Sequence, residues 1–237
     1  MKHRKNLIRA LTVVLCVMMV VSALPISGFA TSSTQFTQSQ LSVVADKQST
    51  LAPGVTENKY TVYDKNGDQV KLFVATADPT VSTVKMYASY LNMDPTNFGM
   101  SKLTEQVAAF DKKAAAGDPY YQGTVVAGIN ASYYNMTTGH PSGIFVMNGV
   151  VGNASESAGY FAVMKDGSVK IGVKGDYAKD ADNIQEAIGI YTMLIVDGEI
   201  CSGLDASAKY PRQTIGITAD GKVILMSADG SQAPTSV

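Results

Sequence analysis

Phe161-Ala162-Val163-Met164-Lys165-Asp166-Gly167-Ser168-Val169-Lys170-Ile171-Gly172-Val173 is the stretch that decides the fold class. Two runs rich in β-branched and aromatic residues, Phe161–Lys165 and Ser168–Val173, flank an Asp-Gly pair. Type I′ turns need positive φ at both central residues, and Asn-Gly or Asp-Gly meets that demand at least cost. The pattern is therefore a β-hairpin. The same signal recurs at Asn66-Gly67, Asn148-Gly149, Asp197-Gly198, Asp220-Gly221 and Asp229-Gly230. Lys59–Tyr63 and Gln69–Ala75 flank the first of these. Tyr191–Val196 and Glu199–Cys201 flank Asp197-Gly198, and Thr214–Thr218 and Lys222–Ser227 flank Asp220-Gly221. These runs predict a largely antiparallel sheet.

One segment has a different period. In Ser101–Ala116, Leu103, Val107, Phe110 and Ala114 recur at spacings of four, three and four, which builds one apolar helix face. Gly117-Asp118-Pro119 stops it. Asp182–Ala187 reads as a second, short helical turn, and Val125–Ile129 as a buried strand. The expected fold class is α+β, mostly antiparallel β-sheet with hairpins and a few helices.

The chain begins with a basic segment (Lys2, His3, Arg4, Lys5, Arg9), an apolar run from Ala10 to Val21 and a small-x-small site at Gly28-Phe29-Ala30. That order is a secretory signal peptide, and the apolar run is short for a bilayer span, which needs about 20 residues. An uncleaved N-terminal anchor is the alternative. Residues 1–30 are read as the signal, 31–50 (rich in Thr, Ser and Gln) as a flexible lead-in, and 51–237 as one domain. The expected location is secreted or wall-associated, with no stable membrane span after cleavage. Loss of the four Lys/Arg of residues 1–30 reduces the 19 Lys+Arg to 15 against 20 Asp+Glu. No basic stripe remains, which excludes nucleic acid as the expected partner. The 46% hydrophobic share suffices for a core without disulfides. Cys201 is the one cysteine beyond the signal, read as a small buried hydrophobe.

No GxSxG, HExxH, Walker loop or CxxC pair occurs, so the chemistry has to be sought in local patterns. Asn130, Ser132, Tyr133 and Tyr134 follow Val125–Ile129. Amides and hydroxyls suit sugar hydroxyls, and flat rings suit a pyranose face; the alternative is an Asn that ties down a turn beside two core tyrosines. In Gly139-His140-Pro141-Ser142-Gly143, glycines let backbone approach a ligand, and imidazole exchanges protons near neutrality. An exposed loop histidine is the alternative. Arg212, entering the strand Ile215–Thr218, has a fork that matches phosphate oxygens. A structural salt bridge to Asp220 or Asp229 is the alternative. Asp166, Asp197, Asp220 and Asp229 mostly sit in hairpin turns, which turn chemistry explains, and no catalytic pair stands out. No metal-ligand cluster is recognisable, and no metal or cofactor is assigned.

Taken together, these patterns resemble the phosphodiester glycosidase family. Ala127-Gly128-Ile129-Asn130-Ala131-Ser132-Tyr133-Tyr134-Asn135 is similar to the family's strand end, and Gly139–Gly143 with Asn148-Gly149 to its glycine-bounded loop and hairpin. Leu194-Ile195-Val196-Asp197-Gly198 is similar to a third motif. Pro211-Arg212-Gln213-Thr214-Ile215-Gly216-Ile217 with Asp220-Gly221-Lys222, then Val223–Ser227 with Asp229-Gly230, is similar to a fourth. The resemblance runs from about Leu51 to the end of the chain. Gln213 and Thr214 stand where the family more often has Thr and Ala, and Ser231 where it often has a longer polar residue. The family continues into a helix and a glycine-rich motif that lie past Val237, so low activity of this chain alone is the expectation.

The resemblance implies hydrolysis of a sugar-1-phosphodiester in a phosphodiester-linked glycan. Arg212 would hold the phosphodiester oxygens and Asn130 the sugar hydroxyls or phosphate. Tyr133 or Tyr134 would stack on the pyranose, with Ser132 and Gly143 lining the site. His140 is the candidate proton donor. A non-catalytic cell-wall or exopolysaccharide binding module is the alternative function, and a structural envelope protein a third.

Overall fold

The computed structural model describes residues 41–64, 68–204 and 210–229. The signal-peptide reading, the first half of the lead-in (31–40), and Asn66-Gly67 lie outside the described residues. In chain order the strands and helices are β1 (Leu41–Ala52), β2 (Val55–Asp64), β3 (Gln69–Ala77), α1 (Leu103–Ala115), β4 (Phe145–Met147), β5 (Val150–Asn153), β6 (Gly159–Met164) and β7 (Val169–Val173). Next come α2 (Tyr177–Asp180), β8 (Ile184–Ile190), β9 (Ile195–Val196), β10 (Glu199–Ile200), β11 (Arg212–Ile217) and β12 (Val223–Ala228). All strand pairings are antiparallel. The α+β, mostly antiparallel class is what the structure shows.

The chain forms two compact units. One holds Met1–Asp78 and Leu194–Val237, the other Pro79–Met193. In the first, β1-β2-β3-β12-β11 make one sheet, and β9 pairs with β10 in a separate hairpin. Strand periodicity explains its core. Tyr60 and Val62 face the same side as Leu72 and Val74, because the register pairs Tyr60 with Leu72 and Val62 with Val70. Ile224 joins them from β12. Each such side chain contributes on the order of 1.5–3 kcal/mol by leaving water.

In the second unit the sheet order is β5-β4-β8-β6-β7. Ile144, Phe145, Val146 and Met147 are all buried, so this sheet is covered on both faces. Ile144 and Val146 pack with Tyr160, Tyr177, Ile184 and Ala187. Phe145 and Met147 point the other way, into Met93, Phe110 and Tyr121. Phe110 is the innermost residue of the α1 face that the four-three-four spacing predicts. The Glu105 carboxylate accepts the Lys102 N–H at 2.9 Å at the start of α1. At its end Gly117 turns left-handed, and the Asp118 N–H reaches back to the Lys113 carbonyl at 3.1 Å.

Several expectations need correction. Type I′ geometry holds at Asn148-Gly149 and Asp197-Gly198, where both residues have positive φ. At Asp166-Gly167 and Asp220-Gly221 only the glycine does, and the Gly N–H bonds the carbonyl three residues back. These are longer loops, in which a type I turn ends on a left-handed glycine. Among the described residues, strand is already present at Leu41, ten residues before Leu51. From Asp46 to Leu51 this edge strand is mostly exposed, which is why its composition reads as a lead-in. Asp182–Ala187 is not helical throughout: a 3-10 turn occupies Ala181–Asn183, and β8 starts at Ile184. The β-branched Ile184, Ile188 and Ile190 of β8 outweigh the weak helical pattern. Val125–Ile129 forms no strand ladder among the described residues. The Tyr191–Val196 run is strand only at Ile195–Val196.

Candidate functional site

The second unit carries a small irregular hairpin built from the two sequence motifs. Tyr134 bridges Pro141 in antiparallel fashion. The Ser142 N–H donates to the Tyr133 carbonyl at 2.8 Å, and the Asn135 N–H to the His140 carbonyl at 2.9 Å. At the tip the Asn135 side-chain oxygen accepts the Thr137 and Thr138 N–H groups at 2.8 and 3.0 Å, an Asx turn that ties the loop without other residues. Gly139 closes it with φ +75°; a Cβ there would stand 2.5 Å from the Gly99 backbone. Ser132, at φ 58°, turns the chain into the hairpin.

Ser132, Tyr133, Tyr134, His140 and Gly143 are thus gathered on one motif. Ser132 Oγ lies 3.4 Å from where a Gly143 Cβ would be, and Gly143 and Gly189 run so close that a Cβ on Gly189 would stand 2.8 Å from Gly143 Cα. Here the glycine pair is required by backbone contact. Asn130 is exposed, two residues ahead of Ser132.

His140 has a defined orientation. Its Nδ1 lies 2.9 Å from the Pro141 carbonyl oxygen. A carbonyl only accepts, so Nδ1 carries the proton and Nε2 offers its lone pair. The Asn153 amide donates to the same oxygen at 2.6 Å, and the Phe98 ring packs on the imidazole with centroids 4.4 Å apart. Phe98 and Asn153 carry no signal in the sequence, since both reach His140 only through the fold.

Arg212 belongs to the other unit, where it opens β11. Its Nη1 donates to the Pro211 carbonyl at 3.1 Å, and the guanidinium sits 5.2 Å from the Tyr210 ring centroid. The two acids offered as salt-bridge partners are engaged elsewhere. Asp220 pairs with Lys222 at 2.7 Å, and Asp229 accepts the Lys71 N–H at 2.8 Å.

One carboxylate escapes the sequence reading. Glu186 is 3% exposed. It accepts the Ala88 and Asn148 N–H groups, each at 3.0 Å, and the Tyr120 hydroxyl. Burial raises its pKa to about 7, against the opposing pull of these donors. Held by three segments inside the core, it is a structural tie. Among the described residues no group of three or more His, Cys, Asp or Glu could hold a metal ion, and no helix is long and apolar enough to cross a membrane.

A family model described as Phosphodiester glycosidase matches residues 123–237. Over these residues the chain resembles the phosphodiester glycosidase family. The matched stretch takes in the hairpin, Glu186 and Arg212, and starts well after the Leu51 from which the resemblance was read. A comparison with curated proteins gives no match. The family match suggests a glycosidase-type hydrolase and implies a glycan as its ligand.

Proposed function

We propose that the protein is an exported glycosidase that hydrolyses sugar-1-phosphodiester linkages in cell-envelope or extracellular glycans. In this reaction water adds to the anomeric carbon and the C1–O bond breaks. Free sugar and a phosphate monoester result, the second proton of water passing to the phosphate side. The observation that carries this reading is the imidazole of His140, whose Nδ1 is occupied by the Pro141 carbonyl and whose Nε2 is open, on the same hairpin as Tyr133 and Tyr134. Protonated at Nε2, it donates to the departing phosphate oxygen. A phosphate is already a good leaving group, so the acid has less to do than in ordinary glycosidases. The fork of Arg212 suits phosphodiester oxygens, Asn130 and Ser132 offer groups for sugar hydroxyls, and the Gly143 backbone packs on Gly189 beside them.

Release of free sugar from an N-acetylglucosamine-1-phosphodiester tests this. Arg212→Ala and His140→Ala should each lower kcat/KM by two orders of magnitude or more. Unchanged turnover in either variant would remove that residue from the mechanism. A non-catalytic binding module is the second reading, since Glu186, the one buried carboxylate among the described residues, is tied into the core. Saturable glycan binding without turnover would decide for it. Export is tested by the N-terminus of secreted material, expected just after Ala30.

A further inference from the structure

Tyr191 follows β8 directly; it opens the run before Asp197-Gly198 and lies outside the candidate-site motifs. It is 66% exposed, and Tyr133 is 61% exposed. Their rings meet edge to face, with centroids 4.5 Å apart and planes at 69°. Two large aromatic groups left in water beside each other call for an explanation, because exposed apolar surface of this kind marks binding sites.

Both rings stand on firm backbone. The Tyr133 carbonyl accepts the Ser142 N–H at 2.8 Å. The carbonyl of Ile190, next to Tyr191, accepts both Ser157 Oγ at 2.6 Å and the Ala158 N–H at 3.1 Å. The close passage of Gly143 against Gly189 couples the two supports. Such mounting makes a preorganised pair, which lowers the ordering cost of binding.

The surroundings select the ligand class. From Pro119 to Ser155 the chain has no Asp, Glu, Lys or Arg. The polar neighbours along the chain are mostly hydroxyls and amides, Ser132, Asn135, Ser142 and Ser157, and the one carboxylate beside them, Glu156, accepts the Gly175 N–H. Neutral hydrogen-bonding groups next to aromatic faces suit a ligand that is itself neutral, hydroxyl-rich and apolar on one face. We infer that Tyr133 and Tyr191 form a two-ring seat for a neutral pyranose unit of the glycan, with Tyr191 an unassigned binding residue. The inference deepens the glycosidase reading and rests on it for the identity of the ligand.

The test uses the full chain, N-acetylglucosamine oligosaccharides as the uncharged probe, and the sugar-1-phosphodiester assay in parallel. The chain has no Trp but 12 Tyr, so binding is read by isothermal titration calorimetry rather than by fluorescence. Tyr191→Ala should weaken oligosaccharide binding about tenfold and raise KM more than it lowers kcat. Tyr191→Phe should bind like the parent, because a ring face needs no hydroxyl. Met136→Ala, at the exposed tip of the same hairpin, should also bind like the parent and serves as the folding control. Parent-like binding by Tyr191→Ala would overturn the inference, as would absence of any probe binding by the parent. So would a shift in self-association of Tyr191→Ala with no change in glycan binding. Probe binding that depends on Tyr191 without any turnover would leave the seat standing and sink the hydrolase reading instead.

Discussion

Glu186 joins three segments that are far apart in sequence: the Ala88 region, Tyr120, and the β4–β5 turn at Asn148. Its carboxyl is neutral in part near pH 7 because burial disfavours the charge. The folded-state pKa is raised above the unfolded value. The stabilising contribution is therefore fully present below about pH 4.5 and is lost as pH rises through about 7. The shift corresponds to about 3 kcal/mol between these limits. The urea midpoint should be higher at pH 5 than at pH 8, and Glu186→Gln should flatten that difference. An equal pH difference in the variant would refute the assignment. The glycines offer a second comparison at this scale. Gly167 has φ +85° and open space around it, whereas Gly139 has φ +75° and the Gly99 backbone 2.5 Å from its virtual Cβ. Gly167→Ala should cost about 1 kcal/mol, from the left-handed backbone alone. Gly139→Ala should cost more, about 2–4 kcal/mol, because backbone atoms must move as well. Equal midpoints for the two variants would contradict the close packing at Gly139.

At the level of elements, hairpins were legible where a turn dipeptide sat between β-branched runs, as at Asp166-Gly167 and Asp220-Gly221. The turn subtype was not, because it depends on loop length and twist. The α1 face was legible through its spacing. β8 shows what escapes. Strict alternation in Ile184–Ile190 would put Glu186 on the Ile184 face. A register shift between the pairs Val163–Glu186 and Met164–Ile184 breaks the alternation, so Glu186 faces Met147 and Phe145 instead. A bulge of this kind has no local sequence cue. The 124–130 segment is a miss of another kind. Its side chains alternate between half-buried and exposed, as in a strand, with Val126 42% exposed. Among the described residues its backbone has no ladder partner. An uncharged segment with an open edge invites pairing with other chains. Val126→Lys should lower light scattering on concentration with little change in the unfolding midpoint, since the side chain points outward. Unaltered scattering would show that this edge does not drive association.

For the whole molecule, the candidate site was legible where its members lie within a dozen residues of one another. Ser132, Tyr133, Tyr134, His140 and Gly143 belong to one hairpin, and motif reading reaches that far. Phe98, Asn153 and Tyr191 join the same surroundings from distant segments, and only the tertiary fold brings them there. The organisation into units was not legible at all. The first unit is closed by strands from both ends of the chain, since β3 pairs with β12, and this interleaving leaves no composition boundary to read. The second unit, by contrast, is one continuous stretch, Pro79–Met193. It has its own five-stranded sheet, covered on both faces, and Glu186 bonds only within it. A continuous segment with a private core should fold alone. Expressed as residues 79–193, it should unfold in a single calorimetric transition with an enthalpy of roughly 80 kcal/mol near 60 °C, scaled by length. It should also keep the higher stability at pH 5 than at pH 8 that Glu186 confers. A broad, non-cooperative transition, or loss of that pH dependence, would mean that the second unit takes its order from strands outside it.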